Sequence, residues 1–247
     1  MNCKNLLLAA FCFLTAMQAK SQRSVQISYA VTDIAEYSED FKAKYPEAYE
    51  DRQHQKEMAH ELLFFLDIQG SRALFYHPQL STNDEQLSIM FTRAGGRHVF
   101  YSDTKENLNI EGFEYWRKHV IIETEMETNP WTLTGEKRQI ANYTCYKATR
   151  PILNDLATDG KARQVEAWYT EEIPVRFGPK NYHGLPGLIL ELREDEISYH
   201  VKNINFNSGV TVSKPKLKGE KMTPEQFRKE APAIRQKAKE LIRNSRG

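Results

Sequence analysis

The sequence predicts an α+β fold that is mainly antiparallel β: a curved, open sheet carrying a few helices. Three observations lead there. Val25, Ile27, Tyr29 and Val31 alternate with Gln26, Ser28 and Ala30, the period-two pattern of a strand with one buried face. Nine further short β-prone runs follow, separated by turns rich in Gly, Asn and Asp. Only two segments carry helix signals, one near residue 46 and one near the C-terminus. A sheet of nine or ten strands normally curls, and a curled sheet has a concave face that something must fill.

The 247 residues are 40% hydrophobic and 27% charged with a net charge of +1, ordinary values for a globular chain. Collagen-like, disulfide-scaffold and wholly disordered classes are excluded. At the N-terminus Lys4 precedes an apolar run from Leu6 to Met17, and Ala19-Lys20-Ser21-Gln22 follows it, which reads as a secretory signal peptide over residues 1–19. The run is about a dozen residues, short of the ~20 a membrane-spanning helix needs, and no later stretch approaches that length. Phe11 stands before Cys12 where a lipid-anchor signal has a small residue. The expectation is an exported chain, periplasmic or secreted, that is not an integral membrane protein.

Removing the leader takes away one base, Lys4, so the 34 basic and 33 acidic residues become balanced. No whole-molecule field remains to attract nucleic acid. Cys3 and Cys12 leave with the leader and only Cys145 persists, so an internal disulfide is ruled out and the core must hold the fold. A chain of ~230 residues buries enough surface to do so as one domain.

In chain order, the opening strand is followed by a polar stretch with Pro46 suited to a first helical turn, predicting a surface helix over about 46–60. The β-prone runs are 62–68, 73–77, 87–93, 98–101, 120–126, 143–149, 165–169, 188–192 and 197–204. The separators Gly70-Ser71 and 193–196 are short enough for hairpins. In 119–126, Val120, Ile122, Thr124 and Met126 alternate with Glu123 and Glu125, one face dry and one wet. A single curved-sheet domain over 20–210 is expected, followed by a basic segment over 211–247.

In that segment Thr223-Pro224-Glu225-Gln226 combines an N-cap, a first-turn proline and a third-position glutamine, and Phe227, Ala231, Ile234, Ala238 and Leu241 recur at helical steps. Pro232 falls inside the pattern and argues for a kink or a later start. From Lys214 onward there are eleven basic and four acidic residues, so this tail is +7 against −7 for the rest of the mature chain. Docking of the tail on the body is the simpler reading, ahead of a membrane or partner contact.

Signatures of chemistry are sparse. The seven histidines are isolated, and His60-Glu61 is followed by Phe64 where a zinc-protease helix carries its second histidine. Cys145 lies in the strand run Tyr143-Thr144-Cys145-Tyr146, the setting of a small buried hydrophobe rather than a nucleophile. There is no Gly-x-Ser-x-Gly elbow and no glycine-rich phosphate loop. No catalytic residue, metal site or cofactor is predicted.

The most informative stretch is Val165-Glu166-Ala167-Trp168-Tyr169-Thr170, then Ile173-Pro174, Phe177-Gly178-Pro179 and Tyr182-His183-Gly184-Leu185-Pro186-Gly187-Leu188-Ile189. Leu185-Pro186-Gly187-Leu188 fits a type II turn with a positive φ at Gly187, and Gly184 suits a close backbone approach. The segment reads as strand, stiff loop and strand, with aromatic residues around the loop. Two roles stand side by side: a lid over one end of the core, or the rim of an apolar ligand site formed by Trp168, Tyr169, Pro174, Phe177, Gly178, Pro179, Tyr182, Gly184, Leu185, Pro186 and Gly187.

On these residues the chain resembles the GLPGLI family, exported proteins of unknown function from Gram-negative bacteria, named for the run that stands here as Gly184-Leu185-Pro186-Gly187-Leu188-Ile189. The likeness extends to Ala167-Trp168-Tyr169-Thr170, to Tyr143-Thr144-Cys145-Tyr146-Lys147-Ala148 with Asn142 in place of a glycine, and to Trp131 with Gly135 and Ile140. It implies no activity. At fold level the pattern is similar to the half-barrel of periplasmic lipoprotein carriers, which implies a carrier or sensor holding a lipid or other amphiphile. The alternative is a non-enzymatic envelope protein that docks an outer-membrane partner through its basic tail or a sheet edge.

Overall fold

The computed structural model describes residues 24–126, 130–152 and 164–244; the leader expected over 1–19 lies outside them. The sheet is built around its first strand. β1 (Ser24–Asp33) pairs on one side with β2 (Leu63–Gln69) and on the other with β11 (Ile197–Phe206). From β2 the meander runs outward through β3 (Arg72–Tyr76), β4 (His98–Asp103), β5 (Leu108–Tyr115) and β6 (Lys118–Glu125). From β11 it runs through β10 (Leu188–Glu194), β9 (Gln164–Thr170) and β8 (Tyr143–Pro151) to β7 (Thr132–Ile140) at the far edge. A three-residue strand, β12 (Glu220–Met222), joins β6 in parallel and closes the twelve-stranded order. All other pairings are antiparallel, so the open, mainly antiparallel curved sheet expected from the strand pattern is what forms.

The alternation in β1 places Ile27, Tyr29 and Val31 in the core, and register carries the same face across neighbouring strands. Ile27 stands opposite Leu66, Leu66 opposite Phe75, and Phe75 opposite Phe100. Phe64 and Phe75 stack at 5.4 Å and both meet Tyr199 edge to face, the favourable geometry for aromatic quadrupoles. Two buried hydroxyls are satisfied by main-chain carbonyls: Tyr29 donates to Ile189 at 2.7 Å and Tyr199 to Ala94 at 2.7 Å.

Four α-helices occur among the described residues: α1 (Glu39–Lys44), α2 (Pro46–Met58), α3 (Glu85–Arg93) and α4 (Pro224–Asn244). α2 matches the helix expected from Pro46, its last residues tightening into a 3-10 turn (Ala59–Glu61). α1 was not foreseen; Ser38 caps it by accepting from the Phe41 N–H.

Several expectations are corrected. The run 87–93 is helix α3 rather than a strand: Asp84 accepts from the Leu87 N–H at 2.9 Å, and Leu87, Met90, Phe91 and Ala94 bury one helical face on the sheet. β5 and β7 went unread. β7 is exposed along eight of its nine residues and offers no apolar alternation. In β6 both Val120 and Ile121 are buried, because the chain over 212–217 crosses the outer face and sets Val212 and Leu217 against Tyr101, Ile110 and Ile121. One expected turn differs: Gly187 is not a positive-φ residue of its loop, whereas Gly184 is.

The capping box at α4 forms as expected: the Gln226 N–H donates to Thr223 Oγ1 at 3.1 Å and Gln226 Oε1 accepts from the Thr223 N–H at 2.8 Å. The helix runs from Pro224 through Pro232 to Asn244, so it does not start later. Its inner face seats Phe227 against Phe113 and Tyr115. No helix among the described residues is long and apolar enough to cross a membrane.

Candidate functional site

After Thr170 the chain leaves β9, and over 171–187 it folds back on itself before re-entering the sheet as β10. The loop is fastened from within. The Leu188 N–H donates to Ile173 O at 3.0 Å, the Ile189 N–H to Phe177 O at 3.1 Å, and the Gly184 N–H to Arg176 O at 3.2 Å. Arg176 reaches across with its guanidinium, Nε to Leu185 O at 3.3 Å and Nη2 to Gly184 O at 2.9 Å. Multiple internal bonds of this kind make the loop stiff.

The glycines exchange the roles expected of them. Gly184 holds a φ of +95° with open space where a Cβ would stand. At Gly187 a Cβ would lie 1.8 Å from the carbonyl oxygen of Thr170, so the close approach is there. Gly178 similarly admits the Ile189 side chain, 2.6 Å from a built Cβ. A dipeptide pattern suited to a type II turn is thus overridden by packing of the loop against the end of β9.

The predicted rim residues do not form one cluster. Pro174, Phe177 and Gly184 line a cleft of about 690 Å3 at the end of the sheet. Tyr182 lines a different cavity. Trp168 lies on β9 with the Arg138 guanidinium 4.1 Å from its ring centre, and Tyr169 faces Tyr146 at 6.0 Å. Gly178, Pro179, Leu185 and Gly187 are buried, while Pro186 is exposed.

The cleft's opposite wall comes from a three-strand register that sequence reading missed. Val25 of β1 is paired with Ile68 of β2 and with Phe206 of β11, and all three side chains line it. No local signal announces this wall, since it exists only once β1 sits between β2 and β11. Ile173 and Val175 complete an apolar lining, with Thr104, Glu172, Arg176 and His183 as its polar members. A volume of this size falls in the range of small-molecule sites.

His183 is held on two sides. Its carbonyl accepts from Trp131 Nε1 at 2.9 Å, and its backbone bridges Phe177. Its Nε2 is buried with no hydrogen-bond partner. Burial, reinforced by the positive charges of Arg150 and Arg176, brings the ring down to about 4, so it is neutral at pH 7.

The second cavity, about 670 Å3, lies on the concave face between β4, β5 and β6, the turn at 180–182 and the start of α4. Several of its polar groups are paired with one another: His98 Nδ1 meets Glu111 at 2.7 Å, Tyr182 donates to Glu194 at 2.6 Å, and Lys180 also pairs with Glu194. Charges so engaged are not poised for acid–base work.

Cys145 is fully buried, and desolvation pushes its thiol up to about 11. It is the small buried hydrophobe expected of its strand, not an activated nucleophile. Among the described residues no three or more His, Cys, Asp or Glu side chains converge as a metal site.

Comparison with known proteins gives a family-level and a fold-level likeness. Residues 154–191, the stretch containing β9 and the loop, match a family model described as a protein of unknown function (Porph_ging). No curated protein matches the chain in sequence. Two solved structures of PNGF-II, in C2 and P21 crystal forms, are similar in fold, with TM-scores of 0.51 and 0.52 at 10% and 12% identity. Each covers 86% of this chain, which in turn spans only about a third of the PNGF-II chain, 33% and 34%. The likeness is one of fold.

Proposed function

We propose that the protein is a non-enzymatic carrier or sensor that binds an amphipathic ligand in the cleft beneath the 171–187 loop. The carrying observation is the cleft itself: about 690 Å3, walled by Val25, Ile68 and Phe206 on the sheet side and by Ile173, Val175 and Phe177 on the loop side. Apolar walls take up an acyl or similar chain, each methylene removed from water contributing roughly 0.8 kcal/mol. Arg176 is exposed at the same rim, its guanidinium on the Gly184 and Leu185 carbonyls, and with Glu172 in the same lining it suits the polar head group of such a ligand. The stiff loop limits the entropy lost on binding. A leader-like segment at residues 1–19 supports an exported, periplasmic setting, and we read the 184–189 run as that of a GLPGLI-type protein.

The test is titration of the mature chain with a dansyl-labelled undecanoic acid, alongside native mass spectrometry of protein purified from its own host. Saturable binding of one probe per chain is expected. Val175→Asp and Phe206→Asp, at half-buried and exposed positions, should weaken it about tenfold, on the order of the transfer free energy of one side chain. An unsaturable signal, or equal affinity in both variants with unchanged circular dichroism, overturns the assignment.

A further inference from the structure

The tail's charge is not consumed by docking on the body. Two of the tail's cations, Lys214 and Lys221, form ion pairs with the body, both on Glu123, at 3.5 and 2.9 Å. The remaining contacts run the other way or are apolar: Lys118 of β6 reaches Glu220 and Glu230, and Phe227 packs on Phe113 and Tyr115. Lys216, Lys218, Lys229, Arg235 and Lys237 are exposed and have no carboxylate partner among the described residues.

Two further features stand on the same surface. Arg235 and Lys239 are one turn apart on α4 and therefore share a flank. Beside them Trp116, at the tip of the β5–β6 turn with a φ of 49°, is 37% exposed, and Lys239 Nζ lies 5.9 Å from its ring centre. A helix of 21 residues, roughly 30 Å long, carrying the exposed Lys229, Arg235, Lys237 and Lys239 and edged by an indole, presents charge along a line rather than at a point.

We infer that this surface, the exposed basic flank of α4 together with Trp116, docks on an anionic lipid bilayer. Cations distributed along a helix match the spread charge of such a membrane, each raising partitioning roughly fivefold. The indole is the side chain favoured at the boundary between headgroups and acyl chains. Buried Ala231 and Ala238 and half-buried Phe227 keep α4 on the sheet while its outer flank contacts lipid, so no unfolding of the helix is required.

The experiment is co-sedimentation of the mature chain with vesicles of phosphatidylcholine alone and of phosphatidylcholine mixed with phosphatidylglycerol, at low and high salt. Binding to the anionic vesicles only, abolished by salt, is expected, with a blue shift of tryptophan emission that Trp116→Phe removes. The double variant Arg235→Glu, Lys239→Glu should lower partitioning by at least about tenfold. Equal binding to both vesicle types, absence of binding, or indifference to the charge reversal overturns the inference, as does capture by an acidic protein without vesicle binding. Probe binding in the cleft is measured in the same double variant; its persistence separates failure of this surface from failure of the ligand site.

Discussion

Trp131 Nε1 donates to the carbonyl oxygen of His183 at 2.9 Å, joining the residue just before edge strand β7 to the loop that walls the cleft. The guanidinium of Arg150 completes the joint, 4.9 Å from the Trp131 ring centre and 4.4 Å from that of Tyr182. Trp131, Arg150 and the Tyr182-His183 pair, far apart in the chain, thus meet at one place.

Trp131→Phe keeps a ring against Arg150 and removes only the N–H donor. The expected cost is about 1 kcal/mol, the net worth of one hydrogen bond. Urea unfolding should show a lower midpoint at unchanged slope; an unchanged midpoint would mean that water replaces the indole without loss.

The two glycines of the loop are distinguished by substitution. Gly187→Ala places a methyl 1.8 Å from the Thr170 carbonyl oxygen, backbone against backbone, and should cost at least about 3 kcal/mol. Gly184→Ala meets nothing within 4 Å and carries only the strain of a φ of +95°, about 1–2 kcal/mol. Thermal unfolding of both variants checks the order, and a reversed order would return the positive-φ role to Gly187.

Protonation of His183 is the expected source of acid sensitivity. Its folded value, about 4, lies below the ordinary 6.5, so between those values the unfolded chain binds the extra proton. The contribution is present above pH 6.5 and is lost as pH falls toward 4, at most about 3 kcal/mol for such a shift. Stability measured in urea from pH 7 to pH 4.5 should decline along this window, and His183→Asn should flatten the curve. A slope that persists in the variant assigns the effect elsewhere.

Strand alternation made the sheet legible where one face is wet, as in β1, and the capping box of α4 could be read residue by residue. Some elements were hidden for separate reasons. In 87–93 the run Leu87-Ser88-Ile89-Met90-Phe91 satisfies either period, and the decision rests on Asp84 as N-cap. β7 has no buried face to impose a pattern, and the strap over 212–217 reads as a lysine-rich linker although Val212 and Leu217 cover the outer face. At the site, the motif pointed to the loop wall but not to Val25, Ile68 and Phe206, which converge only through register. The glycine roles were inverted because turn preference is local, whereas the clash at Gly187 is with a strand end seventeen positions earlier in the chain.

Arg93 closes α3 and ties together elements that are far apart in the chain. Its Nη1 lies 2.6 Å from Asp33 Oδ2 at the end of β1, and its Nη2 lies 2.7 Å from Glu196 Oε2 in the β10–β11 turn. Nη1 also donates to Gln55 Oε1 of α2 at 3.2 Å. The Asp33 side chain is 1% exposed, so its charge depends on this partner and on the Ala35 N–H, 2.9 Å from Oδ1. Arg93→Met leaves that charge buried and unpaired, with an expected loss of about 3 kcal/mol. Adding Asp33→Asn removes the charge but preserves an acceptor for Ala35, so the double variant should regain part of the loss. Glu196→Gln alone, at a half-exposed carboxylate, should cost under about 1 kcal/mol. A double-mutant cycle on Arg93 and Asp33 measures the coupling. A coupling near zero would mean that α3 is held over the concave face by Leu87, Met90 and Phe91 alone, with the ion pair contributing only its desolvation cost.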